Sequence, residues 1–337
     1  MRKFQSRGFI VQEKHELTPK NKMSFSEKES DVEFLRRAGL AYKQMLDQAS
    51  QIVVGQQPVF EGLMIALASR GHCLLAGAPG LAKTTIVGTL AKLFGLEFHR
   101  ITLSPDMTPH DIIGTEVRRE DGPLLTNMLL VEDINCAPPK TQMTLLNAIQ
   151  DECVTIGQTR HPLPKPFCVV ATETPVEREG ISPLTASQLD RFMMKLIAGY
   201  PTFEEEFELV RRMSSLGDQV IQPVFSLDDL LRLQEMVPRS PVGDDVAEFA
   251  VTMIRKTRVD DHTEKTFEFM PQQVEYGAST RSLQDLIRAA QTRATLNGRT
   301  RTAKNDVRFV SKLVLRHRLV MQPNASLSSD DVIEQLD

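Results

Sequence analysis

The sequence predicts an α/β fold in which a mostly parallel, five-stranded sheet with helices on both faces precedes a smaller, all-helical domain. Between about residues 70 and 200, five short apolar runs alternate with segments of helical periodicity. Strands that alternate with helices in this way pair in parallel, and the helices cover both faces of the sheet. After Pro201 the strand pattern stops and helical spacing repeats. A chain of 337 residues is long enough for two domains.

Each predicted element rests on its own pattern of apolar residues. The chain begins its periodic part with a helix over 32–49 and a second helix that contains Val59 and Leu67. The predicted strands are 73–76, 98–103, 128–131, 167–172 and 193–197. The other predicted helices are 83–94, 139–150, 204–213, 227–236, 244–256, 282–296 and 304–319.

The composition places these elements in four parts of the chain. Residues 1–30 are polar with little periodicity, which predicts a flexible N-terminal arm. The α/β domain is expected over 31–202 and the helical domain over 203–325. The last residues, 326–337, are expected to form a polar tail.

Composition and charge exclude several classes of protein. Hydrophobic residues make up 41% and charged residues 25%, as in ordinary soluble proteins, and the net charge of −4 provides no general attraction to nucleic acid. The four cysteines form no CxxC pair or zinc pattern, so they fit a reducing, cytoplasmic compartment. The basic N-terminus lacks an apolar stretch after it, and no apolar run is long enough to span a membrane.

A glycine-rich loop between the first predicted strand and a helix has the pattern of a phosphate-binding loop. It comprises Gly77, Ala78, Pro79, Gly80, Leu81, Ala82, Lys83 and Thr84, with Thr85 following. Glycines let the backbone N–H groups turn toward phosphate oxygens, and the helix N-terminus adds partial positive charge. Lys83 is expected to reach the β- and γ-phosphates of ATP, and Thr84 to bind Mg²⁺. Ala82 replaces the usual second glycine, and the alternative is a simple turn.

Two acids, Glu132 and Asp133, follow the predicted strand 128–131. An apolar strand that ends in two acids is typical of ATPases, where the first acid holds Mg²⁺ and the second positions the attacking water. The usual order is Asp-Glu, so here Asp133 would fall short of the water by the length of one C–C bond. Positioning errors near 1 Å can cost on the order of 100-fold in rate. The order therefore favours nucleotide binding over hydrolysis, unless the acids are only a solvated strand end.

Residues 129–142, LLVEDINCAPPKTQ, resemble the segment LLADEINRAPPKTQ that is typical of MoxR-type AAA+ ATPases. Further matches follow in the same order as in that family. They are Gly71-His72, a hairpin-like segment over 154–164, ATETP at 171–175 for the family's ATQNP, QLDRF at 188–192, GASTR at 277–281 for GASPR, and RHR at 316–318. The resemblance covers roughly residues 50–320.

The resemblance implies a ring of subunits, commonly a hexamer, with ATP bound between neighbours. In this comparison 31–202 is the nucleotide-binding domain and 203–325 is the lid. Arg191 matches the arginine finger that acts on the neighbour's γ-phosphate, Arg281 matches sensor 2, and Thr174 matches sensor 1. Val54 and Gly55 match the stretch near the adenine.

Each of these three side chains also has a simpler interpretation. Arg191 could form a surface ion pair, Arg281 could be a solvated residue at a helix start, and Thr174 could belong to a turn. The chain also departs from the family beyond its acid pair. Cys136 replaces Arg, Asn147 replaces Glu, Thr174 replaces Asn, and Thr185-Ala186 replace Pro-Glu. These departures predict slow hydrolysis.

Three functions remain open on the sequence. The resemblance implies an ATPase that remodels or helps to mature protein clients, often with von Willebrand A-domain partners. The altered acids favour a nucleotide-gated assembly scaffold with little hydrolysis. A DNA-directed motor or loader is a third interpretation, although spaced basic residues on helices are more often a solvated face. Its basis is the basic bias of Arg299, Arg301, Lys304, Arg308, Arg316 and Arg318.

Overall fold

The structure is a computed structural model that describes residues 29–114, 122–173, 181–212, 220–259 and 270–336. Residues 1–28 of the expected N-terminal arm lie outside the described residues, and so does Thr174. The predicted fold class is confirmed, because five parallel strands form one sheet, with helices on both faces and a mostly helical second domain.

Nine strands are assigned within the described residues, and the five predicted ones match to within one residue at each end. The strands are β1 (Cys73–Ala76), β2 (Phe98–Thr102), β3 (Met128–Glu132), β4 (Cys153–Ile156), β5 (Thr159–Pro162), β6 (Cys168–Thr172), β7 (Met194–Ile197), β8 (Val274–Tyr276) and β9 (Val320–Met321). The main sheet has the order β2-β3-β6-β1-β7. β4 and β5 form a separate antiparallel hairpin.

The helices in the described ranges include short ones that periodicity did not predict. They are α1 (Asp31–Ile52), α2 (Gln57–Ala68), α3 (Lys83–Leu93), α4 (Pro109–Ile113), α5 (Pro139–Asp151), α6 (Ala186–Leu189), α7 (Phe203–Arg212), α8 (Leu227–Met236), α9 (Asp244–Lys256), α10 (Met270–Gln273), α11 (Thr280–Leu296), α12 (Lys304–Leu315) and α13 (Ser329–Glu334). α4, α6, α10 and α13 have six residues or fewer, too few for a periodic pattern to be recognised.

The main sheet is buried on both faces, which explains why its strands are continuous apolar runs. Successive side chains of a strand point to opposite faces. Cys73 and Leu75 of β1 join a cluster with α1, α2, α3 and the lid, whereas Leu74 joins a cluster with α4, α5 and the hairpin. All three side chains are fully buried. β1 is therefore a rigid central strand between β6 and β7, and the loop that follows it starts from a fixed point.

Helix α1 ties the α/β domain to the lid. It packs against α2 and α3 on one side and α11 of the lid on the other. Gly39 of α1 lies so close to the chain after α11 that a Cβ atom there would be 3.0 Å from the Gly298 nitrogen. Ser30 starts the helix with a capping box to Glu33.

The lid differs from the expected all-helical domain and polar tail. β8 and β9 pair within it as a short antiparallel ribbon. Within 326–337, Ser328 caps α13, and Val332, Ile333 and Leu336 are buried in the main core. The expectation of a polar tail was therefore wrong for this helix. Its three apolar residues stand among many polar ones, and they form one buried face only when the helix packs against the lid.

Truncation of Leu336 tests whether this last helix belongs to the lid core. Leu336→Ala is expected to lower the free energy of unfolding by about 2–4 kcal/mol, because it removes buried methyl groups and leaves a cavity. Chemical denaturation of the full chain measures the effect. The control is Gln335→Ala at the exposed neighbouring position, and equal stability of the two variants would contradict the assignment.

Candidate nucleotide-binding site

The glycine-rich loop joins β1 to α3 with three residues in conformations of positive φ. These are Gly77 (φ +147°), Gly80 (φ +85°) and Ala82 (φ +54°). A Cβ atom on Gly77 would lie 2.6 Å from the Ala198 carbonyl oxygen, so only glycine fits there. Ala82 occupies the left-handed region at a cost of about 1–2 kcal/mol, which explains why glycine is usual at this position. The loop keeps the expected shape despite the substitution.

Lys83 is the first residue of α3, and its ammonium group is held by the loop itself. Its Nζ donates to the carbonyl oxygens of Gly77 at 2.8 Å and Ala78 at 2.9 Å. Partial burial lowers the pKa of Lys83, and the nearby charges of Asp133 and Glu132 oppose that shift. These contacts place one positive charge between the loop and the two acids.

Glu132, at the end of β3, is the centre of the hydrogen bonds in this cleft. Its Oε1 accepts from the Thr84 hydroxyl at 2.8 Å. Its Oε2 accepts from Arg100 Nη2 at 2.6 Å and from the Thr102 hydroxyl at 3.0 Å. Burial by itself raises the pKa of Glu132, but the hydrogen bonds from the three side chains outweigh it, so the pKa is lowered. Glu132 therefore stays ionised to a lower pH than an ordinary glutamate, as a metal ligand must.

Asp133 follows Glu132 in a left-handed conformation, with φ +58° and ψ +50°. Its backbone N–H donates to the Thr172 hydroxyl at 3.1 Å, which links the ends of β3 and β6. Left-handed backbone at a residue other than glycine is uncommon, although aspartate adopts it more readily than most residues. The conformation sets the direction of the second acid with respect to the first.

The loop and the acids enclose a cleft of about 520 Å³, within the size range of small-molecule sites. Its walls also include Leu81, Thr85, Thr172 and Glu173. Mg²⁺ prefers oxygen ligands, uses few protein carboxylates and keeps water and phosphate oxygens around it. The Thr84 hydroxyl beside the Glu132 carboxylate fits that preference. In the described ranges no group of three or more His, Cys, Asp or Glu side chains is arranged to hold a metal ion.

Val54 and Gly55, expected near the adenine, lie at the same edge of the sheet as the loop. The adjacent Gln56 side chain donates to the Gly199 carbonyl oxygen at 2.8 Å, just beyond the end of β7. Gly55 approaches α7, where a Cβ atom would be 2.9 Å from Glu205 Oε2. The position flanks the cleft without lining its phosphate end.

Arg191 and Arg281 lie in a second cleft, of about 180 Å³, which also contains His72 and Met193. These last two residues precede β1 and β7, so the second cleft is at the amino ends of the strands, whereas the glycine-rich loop is at the carboxyl ends. A strand of four residues separates the two edges by about 13 Å. The structure thus brings the two arginines together, and it does not bring them to the loop of their own subunit.

Both arginines of the second cleft have a polar partner. Arg191 Nη1 donates to Asn147 Oδ1 at 3.0 Å. Arg281 Nη1 lies 3.7 Å from Asp190 Oδ2. Arg281 is nearly half exposed, so this ion pair contributes little to stability.

The sequence analysis did not identify Arg100, Thr102 and Thr172 as site residues. All three lie on strands whose carboxyl ends form the cleft, and the two threonines are the last residues of β2 and β6. Because ligands of parallel sheets bind at these ends, polar residues that close a predicted strand were a usable signal for the threonines. Arg100 had no such signal, since its contact depends on the pairing of β2 with β3.

Comparison with known proteins gives matches to both domains and to nearly the whole chain. Residues 72–194 match the ATPase family associated with various cellular activities (AAA), and 271–336 match an AAA lid domain. The chaperone MoxR1 of Mycobacterium tuberculosis is 40% identical over 82% of this chain and 75% of its own length. The protein MoxR of Methylorubrum extorquens is 26% identical over 86% of this chain and 90% of its own. A solved structure of a proposed ATPase from Cytophaga hutchinsonii superposes with a TM-score of 0.84 at 34% identity, covering 90% of this chain and 95% of that one.

None of the helices in the described ranges combines the length and the apolar character that crossing a membrane requires.

Proposed function

Because this chain belongs to the MoxR family of AAA+ ATPases, we propose that it binds ATP with Mg²⁺ in the glycine-rich cleft and hydrolyses it within a homo-oligomeric ring, most simply a hexamer. The observation that carries this proposal is the separation of the two halves of the site. Lys83, Thr84 and Glu132 meet at the carboxyl edge of the sheet. Arg191 and Arg281 lie together at the amino edge, and we infer that they serve a neighbour's nucleotide.

The residues of the carboxyl edge bind and orient the nucleotide. The loop amides and Lys83 hold the β- and γ-phosphates, because both present positive charge to them. Thr84 and Glu132 would hold Mg²⁺, which would neutralise part of the phosphate charge. Thr174, proposed as sensor 1, would hydrogen-bond a water or a γ-oxygen through its hydroxyl.

The chemical step needs Asp133 and a neighbouring subunit. Asp133 is proposed to orient the attacking water and receive its proton, since its carboxylate follows the metal-binding acid. Arg191 of the next subunit stabilises the charge that develops on the γ-phosphate, and Arg281 responds to the phosphate state and moves the lid. The lid motion would do work on a client.

A nucleotide-gated scaffold with little hydrolysis is a second candidate, and the acid pair favours it. Glu132 is already hydrogen-bonded by Thr84, Thr102 and Arg100. Asp133 is one methylene shorter than the glutamate usual in this family. In such a protein ATP would bind and drive assembly, and turnover would be slow because the water is poorly positioned.

A DNA-directed motor is not favoured, because three of the six basic residues on which this interpretation rests are paired with acids within the protein. The ion pairs are Arg299–Asp306, Arg316–Asp330 and Arg318–Asp285. Arg316 and Arg318 have only 11% and 2% of their side chains exposed. Binding to phosphate backbones requires accessible cations.

Clients and location are proposed from the family. We propose that a protein client, of the von Willebrand A-domain class that the family resemblance implies, is remodelled or matured in the cytoplasm. No disulfide joins any of the four cysteines, all of which lie in the described ranges, as expected in a reducing compartment.

Steady-state phosphate release with Mg-ATP, measured across protein concentrations, tests the proposed function. Turnover per subunit is expected to rise with concentration, because each site is completed by a neighbour. Lys83→Ala is the control and is expected to lose ATP binding and turnover together. ATP binding without phosphate release above this control would exclude the ATPase and leave the scaffold.

Arg100→Ala tests whether this arginine competes with the metal for Glu132. Removing a unit positive charge beside the carboxylate is expected to lower the Mg²⁺ concentration for half-maximal ATP binding roughly tenfold. Titration of ATP binding against Mg²⁺ measures the change. Arg100→Lys keeps the charge and is the matched control; weaker Mg²⁺ binding in the alanine variant would show that Arg100 supports the site instead.

A further inference from the structure

The turn that carries Arg191 is fixed by its backbone and by one buried ring. α6 ends at Leu189, and the N–H of Phe192 then donates to the Leu189 carbonyl oxygen at 3.0 Å. The N–H of Met193 donates to the His72 carbonyl oxygen at 2.9 Å, which attaches the turn to the start of β1. The Phe192 ring is fully buried. The backbone on both sides of Arg191 is therefore anchored in the α/β domain.

Two lid residues just beyond α12 contact the same turn. Arg318, just beyond α12, donates through Nη2 to the Phe192 carbonyl oxygen at 2.9 Å and to Asp285 Oδ2 at 2.6 Å. Its Nε lies 3.3 Å from Asp190 Oδ1, and its Nη2 lies 3.4 Å from the Asp190 carbonyl oxygen. His317 Nε2 lies 2.9 Å from the same Phe192 oxygen. Asp190 and Phe192 are the two neighbours of Arg191 in the chain.

The side chains of Arg318 and His317 are buried, so their polar groups depend on these contacts within the protein. Only 2% of the Arg318 side chain is exposed, so its charge has to be balanced by Asp190 and Asp285 instead of by water. Burial and the adjacent Arg318 charge lower the pKa of His317 to about 3, so the imidazole is neutral at neutral pH. Its Nε2 must then carry the proton to donate to the Phe192 carbonyl oxygen.

The Asp190 carboxylate connects two parts of the lid to the turn that carries Arg191. Asp190 contacts Arg318 at the end of α12 and also Arg281 at the start of α11. Asp285, the other partner of Arg318, lies on α11 one turn beyond Arg281. A rotation of the lid therefore moves the counter-ions of the turn that carries Arg191.

We propose that Arg318, through Asp190 and the Phe192 carbonyl group, is a positioning residue that couples the lid of each subunit to the arginine it offers to its neighbour. The inference rests on the proposed function, since it assigns Arg191 the role of a trans-acting finger. In this arrangement Arg281 meets the neighbour's nucleotide, and the lid that it moves aligns or misaligns Arg191 in that same site. The coupling would act across one subunit interface.

Arg318→Gln is the first test, with Arg316→Gln as its matched control. Misplacing the finger by about 1 Å is expected to lower turnover by about 10²-fold, with ATP affinity unchanged. Arg316 is a buried arginine of the same segment, but it pairs with Asp330 at the start of α13, so its variant should keep the wild-type rate. Arg318→Lys keeps the charge without the fork and should not rescue turnover. Asp190→Asn should show the same loss and provides a second variant if Arg318→Gln does not fold.

Mixing experiments separate a misplaced finger from a damaged nucleotide site. Arg318→Gln subunits keep their glycine-rich loop, whereas Lys83→Ala subunits keep their finger. Mixed rings are expected to regain activity to at least about tenfold above either variant alone, because a Lys83→Ala neighbour supplies the correctly held Arg191. Failure of the mixture to recover would overturn the proposal, since the defect would then lie in the subunit's own site.

Hydrogen exchange decides the question without reference to turnover. In Arg318→Gln, the amides of residues 189–194 are expected to exchange at least about tenfold faster than in the wild type, and in Arg316→Gln they should not. Unchanged exchange of this turn in Arg318→Gln would overturn the positioning role. If the wild-type protein releases no phosphate at any concentration, the proposed ATPase fails, and the exchange result still decides whether Arg318 holds the turn.

Discussion

Replacing Arg191 by alanine is expected to lower ATP turnover about 10³-fold while ATP affinity stays unchanged. An arginine finger stabilises charge only in the transition state, and its loss costs on the order of 10³–10⁵ in rate. Arg191 lies in the cleft at the amino ends of the strands, away from the loop of its own subunit. Its removal should therefore spare nucleotide binding in the subunit that carries the substitution.

Phosphate release at saturating Mg-ATP, together with ATP titration, measures this effect. Arg191→Lys is the comparison, because a lysine keeps the charge and loses the planar fork, so it should recover only a small part of the rate. Mixing Arg191→Ala with Lys83→Ala should restore turnover across the interface. Full activity of the alanine variant would show that Arg191 is only the partner of Asn147 on the surface.

Exchanging Glu132 and Asp133 with each other is expected to raise ATP turnover by about 10²-fold. In the double variant Glu132→Asp, Asp133→Glu, the longer side chain reaches the attacking water and the shorter one leaves room for the metal. Positioning errors near 1 Å cost on the order of 100-fold, which is the error that one methylene introduces. The exchange also shortens the acid held by Arg100 and Thr102, and so weakens two contacts that compete with the metal.

The two single variants show which acid limits the rate. Asp133→Glu alone is expected to recover most of the increase, since water positioning belongs to the second acid, and Glu132→Asp alone should change turnover little. Asp133→Asn is the negative control and should lower turnover below the wild type, because an amide does not accept the proton. If turnover is slow and the exchange leaves the rate unchanged, the slow rate has another origin, and Cys136 and Asn147 become the next positions to restore.

Much of the nucleotide cleft could be predicted because it is local in the sequence. The loop from Gly77 to Thr84 is contiguous, and the strand and helix beside it are strongly patterned. The joint assignment of Thr84 and Glu132 to the metal also followed from the sequence, because the loop after β1 and the end of β3 lie at the same edge of one parallel sheet. The roles of these residues stay predictions until binding and turnover are measured.

The position of Arg281 beside Arg191 could not be predicted from the sequence. Its motif placed it at the start of a lid helix, which the structure has as α11. Only the packing of that helix against the turn at Asp190 shows that Arg281 belongs with Arg191 at the far edge of the sheet. Residues more than 80 positions apart in the chain meet there through the docking of the lid, and periodicity carries no information about that docking.

The sequence by itself determined the fold class, the five strands and the glycine-rich loop between β1 and α3. Each of these depends on a pattern of neighbouring residues, in which one apolar run, turn or helix start is complete. The tertiary structure alone decided which edge of the sheet each charged group occupies. It also decided that α13 is part of the lid core and that Arg318 is buried against the turn that carries Arg191. These features depend on surfaces that exist only after distant segments have packed, and a buried ion pair forms only where such packing excludes water.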